Sequence, residues 1–444
     1  MYKYSFLLVC AWLVNPARVA ALAQRIYPGV LLHDSTNCVV IDSVISEGMF
    51  FHYGFQKGDC VFAINDEPIH TTKEFRHAMY SIRAKDQVVL DVKMQGKQQI
   101  KTLVAQGRKQ NPYKKIDVIY GELEEHGCTL RTIEYTPKKG NGLPAILIIP
   151  GYNCSSIENF SRSYYRRLIE RWVLDGYIVY SVEKSGMGDS EGCTACEEVD
   201  LQNDIDIFTS AVRKLKRDLQ VDSNRIYLWG HSMGGIIAPI VAQQSRVKGI
   251  ITYGTVFRPW HQFLLDMHAV QKPLLDKASA EETNLFLDTI KSLYYDFFVN
   301  KKTPAELVSI PKYKHLTETE LEYKEGNTNM WGRHWRFWQQ IDSLDLNKAW
   351  RSLHIPVLII HGGADYIQCS NKEPQLIRDA VNTSDPGYAT MLTIPDLDHL
   401  CMRSKDYLEA VKNLEEKQFL KGNFHEGMAD EILKWLNEQE GIRE

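Results

Sequence analysis

The sequence predicts an α/β fold, a mostly parallel sheet with helices on both faces, carrying an inserted helical cap and preceded by a small α+β domain. Three observations predict it. From about residue 118, short apolar runs alternate with segments of helical period, as in strands buried on both faces and joined by crossover helices. Ser232 lies in Gly230-His231-Ser232-Met233-Gly234, directly between an apolar run, 225–229, and an apolar helical stretch. Small residues on either side of the serine let the chain turn sharply from strand to helix and hold the hydroxyl above the sheet. Finally, the alternation stops between Thr255 and Trp350, where aromatic and charged residues replace strands.

With 444 residues, 44% hydrophobic, the chain can bury two or three domain cores. A formal net charge of -4 and the lack of a basic stripe exclude nucleic acid as a partner. Residues 1–23 read as an export signal. Lys3 supplies the charge, residues 5–14 an apolar stretch too short to span a bilayer, and Ala21-Leu22-Ala23 a small-x-small cleavage site before Gln24. No other stretch reaches ~18 uncharged apolar residues, so no transmembrane span is expected once the signal is removed. The expected location is periplasmic or extracellular. Removing the signal takes Cys10 and leaves an even number of cysteines, which permits disulfides in such a compartment. Cys193-Thr194-Ala195-Cys196 is the tightest pair. No second Cys/His pair stands at zinc-ligand spacing, so no metal is expected. A bridge from Cys154 to either Cys193 or Cys196 is expected instead.

Residues 27–105 form the small domain. Val39, Val40, Ile41 and Val44 suggest a strand; 54–59 a turn; 60–64 a second strand; Asn65-Asp66 another turn. Thr71 and Glu74 fit a capping box, and Phe75, Met79 and Ile82 line one helix face. Val88, Leu90, Val92 and Met94 alternate before Gln95-Gly96-Lys97 reverses the chain. This strand, turn, strand, helix and hairpin resembles a PDZ domain, most closely over 54–69. The resemblance implies a site for a peptide C-terminus, added as a strand beside a loop near Tyr27-Pro28-Gly29-Val30-Leu31. That loop departs from the usual Gly-apolar-Gly-apolar pattern, so a structural or oligomer-forming role is the equal alternative. Residues 106–117 are polar, with Gly107, Asn111 and Pro112, and read as a linker.

Beyond 118, strands are expected at 143–149, 177–182, 247–253, 356–360 and 390–394, besides the one entering Ser232, with helices at 164–174 and 201–219. The strand at 143–149 ends in Pro150-Gly151. Residues 256–348 are expected to cap the mouth of the site. Trp260, Tyr294, Tyr295, Phe297, Phe298, Trp331, Trp335 and Trp338 are mostly the cap's own core, with one or two facing substrate. The glycine-rich loop 184–192 lacks the Gly-Lys-Ser/Thr ending of a phosphate loop and reads as a structural turn, so no cofactor is expected.

A serine hydroxyl needs a base to take its proton and an acid to orient that base. Asp365 stands on a small-residue turn after 357–361, and His399 on a loop after 391–394. Asp396 and Asp398 adjoin the histidine in sequence and cannot easily reach its far nitrogen. His361 sits inside a strand end, and His231 beside the serine reads as a packing residue.

The chain order Ser232, Asp365, His399, with the turn motif, resembles the α/β-hydrolase family over 118–444, in its carboxylesterase and serine aminopeptidase-like branch. The resemblance implies Ser232 as nucleophile, His399 as general base then acid, and Asp365 as the orienting carboxylate. It also implies an oxyanion hole from the backbone N–H of Met233 and a second one from Pro150-Gly151-Tyr152-Asn153, either Tyr152 or Asn153. The expected activity is cleavage of carboxylic esters through an acyl-enzyme, without metal or organic cofactor. The alternative is a peptidase on the same residues, which needs a cap acid to hold an amine; Glu281, Glu282, Glu320 and Glu322 are available.

Overall fold

The computed structural model describes residues 22–46, 48–107, 113–138, 140–416 and 423–442. The expected export signal, apart from Leu22 and Ala23, and the centre of the expected linker lie outside the described residues.

The small domain is a six-stranded antiparallel sheet: β1 (Val30–Asp34), β2 (Val39–Val44), β3 (Cys60–Ile64), β4 (Glu67–Pro68), β5 (Gln87–Met94) and β6 (Lys97–Val104), in the order β1-β2-β3-β5-β6 with β4 on β3. Helix α1 (Met49–His52) is a single turn. In α2 (Thr72–Tyr80), the Thr71 side chain accepts from the Glu74 amide and the Glu74 carboxylate accepts from the Thr71 amide. That pairing satisfies two amide donors at the helix start. Phe75 and Met79 then pack on Val39, Val61 and Leu90. The edge strand β1 is an addition to the expected elements; Leu31, His33 and Asp34 face solvent and leave little apolar signal.

The large sheet has eight strands: β7 (Ile116–Glu125), β8 (Cys128–Pro137), β9 (Leu143–Ile149), β10 (Ile178–Val182), β11 (Val221–His231), β12 (Gly249–Tyr253), and, after the cap, β15 (Val357–Gly362) and β16 (Ala389–Ile394). Its order is β16-β15-β12-β11-β9-β10-β8-β7, and only β8 runs against its neighbours. Successive residues of a strand face opposite sides. Leu147 and Ile149 of β9 therefore join the core under α4 (Leu201–Leu215) and α5 (Met233–Gln244). Ile146 and Ile148 join the core under α3 (Tyr164–Leu174) and α14 (Glu426–Gln439). Near-continuous apolar strands are the sequence mark of burial on both faces.

Between β12 and β15 lie α6 (Trp260–Leu275), α7 (Ala280–Tyr294), α8 (Pro304–Val308), α9 (Pro311–Thr319), α10 (Trp335–Asp342) and α11 (Leu346–Arg351). This interval was expected to hold no strand. It contains a hairpin, β13 (Asn329–Met330) and β14 (Arg333–His334), because Trp331 and Gly332 both take positive φ at the turn. Helices α12 (Lys372–Ser384) and α13 (Tyr407–Glu415) complete the fold. Among the described residues no helix is long and apolar enough to cross a membrane.

Disulfides join Cys38 to Cys60, Cys128 to Cys193, and Cys154 to Cys196. Cys154 thus takes the second of its two expected partners, and the Cys154–Cys193 alternative is excluded. Thr129, next to Cys128, bridges Glu191 across paired backbones, which brings Cys193 to the start of β8.

Candidate active site

Strand β11 runs into Ser232, and α5 starts at the next residue. Ser232 has φ 55° and ψ -124°, a sparsely populated conformation costing on the order of 1–3 kcal/mol. Its neighbours allow it. A Cβ on Gly234 would overlap the Ile149 carbonyl, and one on Gly230 would lie 2.8 Å from the Gly234 oxygen. The Ser232 amide donates to Tyr253 O at 2.8 Å, tying the turn to β12.

The loops after β15 and β16 bring Asp365 and His399 to this turn. His399 Nε2 is 3.1 Å from Ser232 Oγ, and His399 Nδ1 is 2.8 Å from Asp365 Oδ2. Asp365 is fully buried, and its Oδ1 accepts from the amides of Ile367 (3.0 Å) and Gln368 (2.9 Å). Burial alone would raise its pKa. His399 and the two amides more than offset this and hold the carboxyl below its ordinary value. Burial would lower His399, but the facing Asp365 carboxylate prevails and raises it. An ionised Asp365 can only accept, so Nδ1 carries the ring proton and Nε2 is left to accept from the serine hydroxyl.

The rival residues are engaged elsewhere. Asp398 accepts from the amides of Leu400 and Met402 and the Ser404 hydroxyl; Asp396 faces His425 and Arg403. His361 Nδ1 lies 2.8 Å from Gln368 Oε1, and Gln368 in turn donates to Thr255 O. His231 is buried and is pushed down to about 3, first by burial and then by the nearby His399, so it stays neutral. Its Nε2–H donates to the His399 carbonyl at 2.8 Å, and its Nδ1 accepts from the Tyr164 hydroxyl at 2.9 Å. It therefore supports the loop that carries His399. Gly254 went unnoticed in the sequence. With φ 63° it sits under the pair, where a Cβ would lie 2.9 Å from His399 Cε1 and 3.1 Å from Asp365 Oδ2.

Gly151 is beside the serine: a Cβ there would stand 3.5 Å from Ser232 Cβ. Met233 follows the serine at the first turn of α5, and the 151–153 loop begins beside it. Beyond Tyr152 the wall is aromatic. Its ring meets Trp338 at 5.1 Å, and Trp338 contacts Trp260 (5.8 Å) and Trp331 (5.1 Å). Tyr294, Phe297, Phe298 and Trp338 are buried in the cap core, Tyr295 is exposed, and Trp260, Trp331 and Trp335 are half-buried. Of the cap acids, Glu282 caps α7 and Glu320 pairs with Lys272, while Glu281 is exposed. Glu322 acts on the Tyr152 phenol, adding to the upward shift that burial causes.

Residues 145–406 match the family described as serine aminopeptidase, S33, and residues 28–103 match the PDZ domain. Esterase EstD of Thermotoga maritima is 23% identical over 226 residues, which cover 51% of this chain and 45% of that protein. The chain thus spans less than half the length of the curated relative it matches. Among solved structures, Est1E from Butyrivibrio proteoclasticus aligns at 16% identity and a TM-score of 0.40 over 68% of this chain and 98% of that one. A hyperthermophilic esterase from the archaeon Pyrobaculum calidifontis aligns at 14% identity and a TM-score of 0.43, over 72% and 85%.

Proposed function

Because the chain belongs to the serine aminopeptidase S33 family of α/β hydrolases and carries a PDZ domain ahead of it, we propose that it is an exported serine hydrolase acting on carboxylic esters. The observation that carries this reading is the continuous relay from Ser232 Oγ through His399 to Asp365. His399 Nε2 takes the hydroxyl proton as Ser232 attacks the carbonyl. Asp365 holds the ring in the required tautomer and stabilises the imidazolium that forms. The Met233 amide and one amide of the 151–153 loop receive the developing oxyanion, each worth about 3–4 kcal/mol at the transition state. His399 then protonates the leaving alcohol, and the acyl-enzyme is hydrolysed by water that His399 activates. The esterase named among the relatives favours esters as substrates. Three disulfides fit an oxidising compartment, periplasmic or extracellular, and the 1–23 signal would deliver the chain there.

A second reading, an aminopeptidase or short-peptide hydrolase on the same residues, draws on the Glu322 carboxylate, which acts on the Tyr152 phenol and carries the charge a substrate ammonium group would need. A panel of p-nitrophenyl esters against aminoacyl and dipeptidyl p-nitroanilides separates the two. Higher kcat/KM on esters supports the first. Higher kcat/KM on amides, lost in Glu322→Gln, replaces it with the second.

A further inference from the structure

Three consecutive backbone carbonyls of the loop beside Ser232 end on two buried cations. Lys184 follows β10 and is 2% exposed. Its ammonium donates to Gly151 O and, at 3.4 Å, to Asn153 O. Arg333, wholly buried, comes from the β13–β14 hairpin of the cap. Its Nη1 donates to Tyr152 O at 3.0 Å. Both cations share the fully buried Asp204 of α4. Arg333 holds it with both terminal nitrogens, at 2.9 and 3.2 Å, and Lys184 lies 3.7 Å away.

We propose that Lys184 and Arg333 are positioning residues that clamp the carbonyl side of the 151–153 loop and thereby aim the Tyr152 amide at the oxyanion. The inference rests on the hydrolase reading. Its geometry follows from the peptide bond. In a planar trans peptide the N–H points opposite to the C=O. The carbonyl of Gly151 and the amide of Tyr152 share one such plane. Anchoring that oxygen on Lys184 turns the Tyr152 N–H away from the cations. Gly151 adjoins Ser232 Cβ, so of the two candidate planes this one begins at the residue beside the serine. Of the two candidates for the second donor, Tyr152 is therefore selected over Asn153.

The charge balance has the same sense. With Lys184 protonated, two cations face one carboxylate and leave a net positive charge behind the loop, favouring the anion that forms in front of it. The arrangement is costly for the fold. Burial pulls Lys184 down to about 7, Asp204 draws it back up, and Arg333 opposes that. Buried groups of this kind contribute little net stability, which argues for a task beyond tying cap to body. Because Arg333 belongs to the cap, displacing the cap would release Tyr152 O.

The test uses the full chain, p-nitrophenyl butyrate and phenylboronic acid, whose tetrahedral adduct with a serine places an oxygen where the oxyanion forms. In Lys184→Met, kcat should fall about 100-fold, the loss of one oxyanion donor, with KM within about threefold. The boronate Ki should weaken in parallel with kcat, as for a group acting only in the transition state. Arg333→Lys, which keeps charge at the site, is the second arm, and should lose about tenfold in both kcat and boronate affinity while remaining folded. A folded Lys184→Met or Arg333→Lys enzyme with kcat and boronate Ki within threefold of wild type overturns the clamp alone. A wild-type enzyme that turns over no ester or amide, or activity that survives in Ser232→Ala, sinks the hydrolase reading and the clamp with it.

Discussion

Gly254→Ala is the sharpest perturbation available near the relay. The substitution carries two costs. Gly254 has φ 63°, a left-handed conformation that charges a non-glycine residue about 1–2 kcal/mol. Its new Cβ would stand 2.9 Å from His399 Cε1, 3.0 Å from Nδ1 and 3.1 Å from Asp365 Oδ2, against 3.4–4 Å for ordinary contacts. The ring and the carboxylate must therefore yield by several tenths of an ångström. Misplacement by 1 Å costs about 100-fold in rate, so roughly half that displacement predicts a loss of about tenfold or more in kcat. KM should hold within about threefold, because the change lies behind the reacting groups. The assay is steady-state hydrolysis of p-nitrophenyl esters, normalised by active-site titration. Gly387→Ala is the control. It has φ 87° and nothing within 4 Å of its Cβ position, so it bears the backbone cost without touching the relay. If folded Gly254→Ala retains kcat within twofold, or if Gly387→Ala loses as much, the reasoning fails.

Further consequences can be measured. If His399 is the proposed base it must be neutral to act, and since Asp365 raises that imidazole above its ordinary 6.5 against the pull of burial, kcat/KM should fall as pH drops through a value above 6.5. Asp365→Asn should move that limb to lower pH and cut kcat by about 10⁴; a limb that stays in place would contradict the pairing. Opening the Cys154–Cys196 bridge, which closes 42 residues, should cost about 4 kcal/mol of stability in the chain-entropy account. Thermal unfolding of Cys196→Ser against wild type reads this directly, and equal midpoints would count against it. Glu183 is fully buried and burial raises it from 4.5 to about 8. Between those values the folded state holds a proton that the unfolded chain has lost, so stability falls as pH rises across the window. Glu183→Gln should flatten the decline in denaturation midpoint between pH 5 and 8; an unchanged slope would show that other groups set it.

Much of the site was legible because its residues sit where apolar strands end. Ser232, Asp365 and His399 each follow an apolar run that forms a strand, and the glycines around Ser232 mark its turn. The second layer was not legible. Gly254 is one glycine after a strand, and its importance comes from β12 lying next to β15, a neighbour relation that pattern alone does not provide. The Cys128–Cys193 bridge depends on Thr129 meeting Glu191, a register between distant segments. Arg333 lies in a stretch whose tryptophans spoke for helix packing, and no local pattern ties it to Asp204 of α4, 129 residues away.

The central claim is that Ser232 is a nucleophile activated through His399. Intact-mass and peptide analysis after treatment with a fluorophosphonate addresses it most directly. One adduct is predicted, on Ser232, absent in Ser232→Ala and formed at least about 100-fold more slowly in His399→Ala. An adduct on another residue, or labelling of Ser232 that proceeds as fast without His399, would contradict the account.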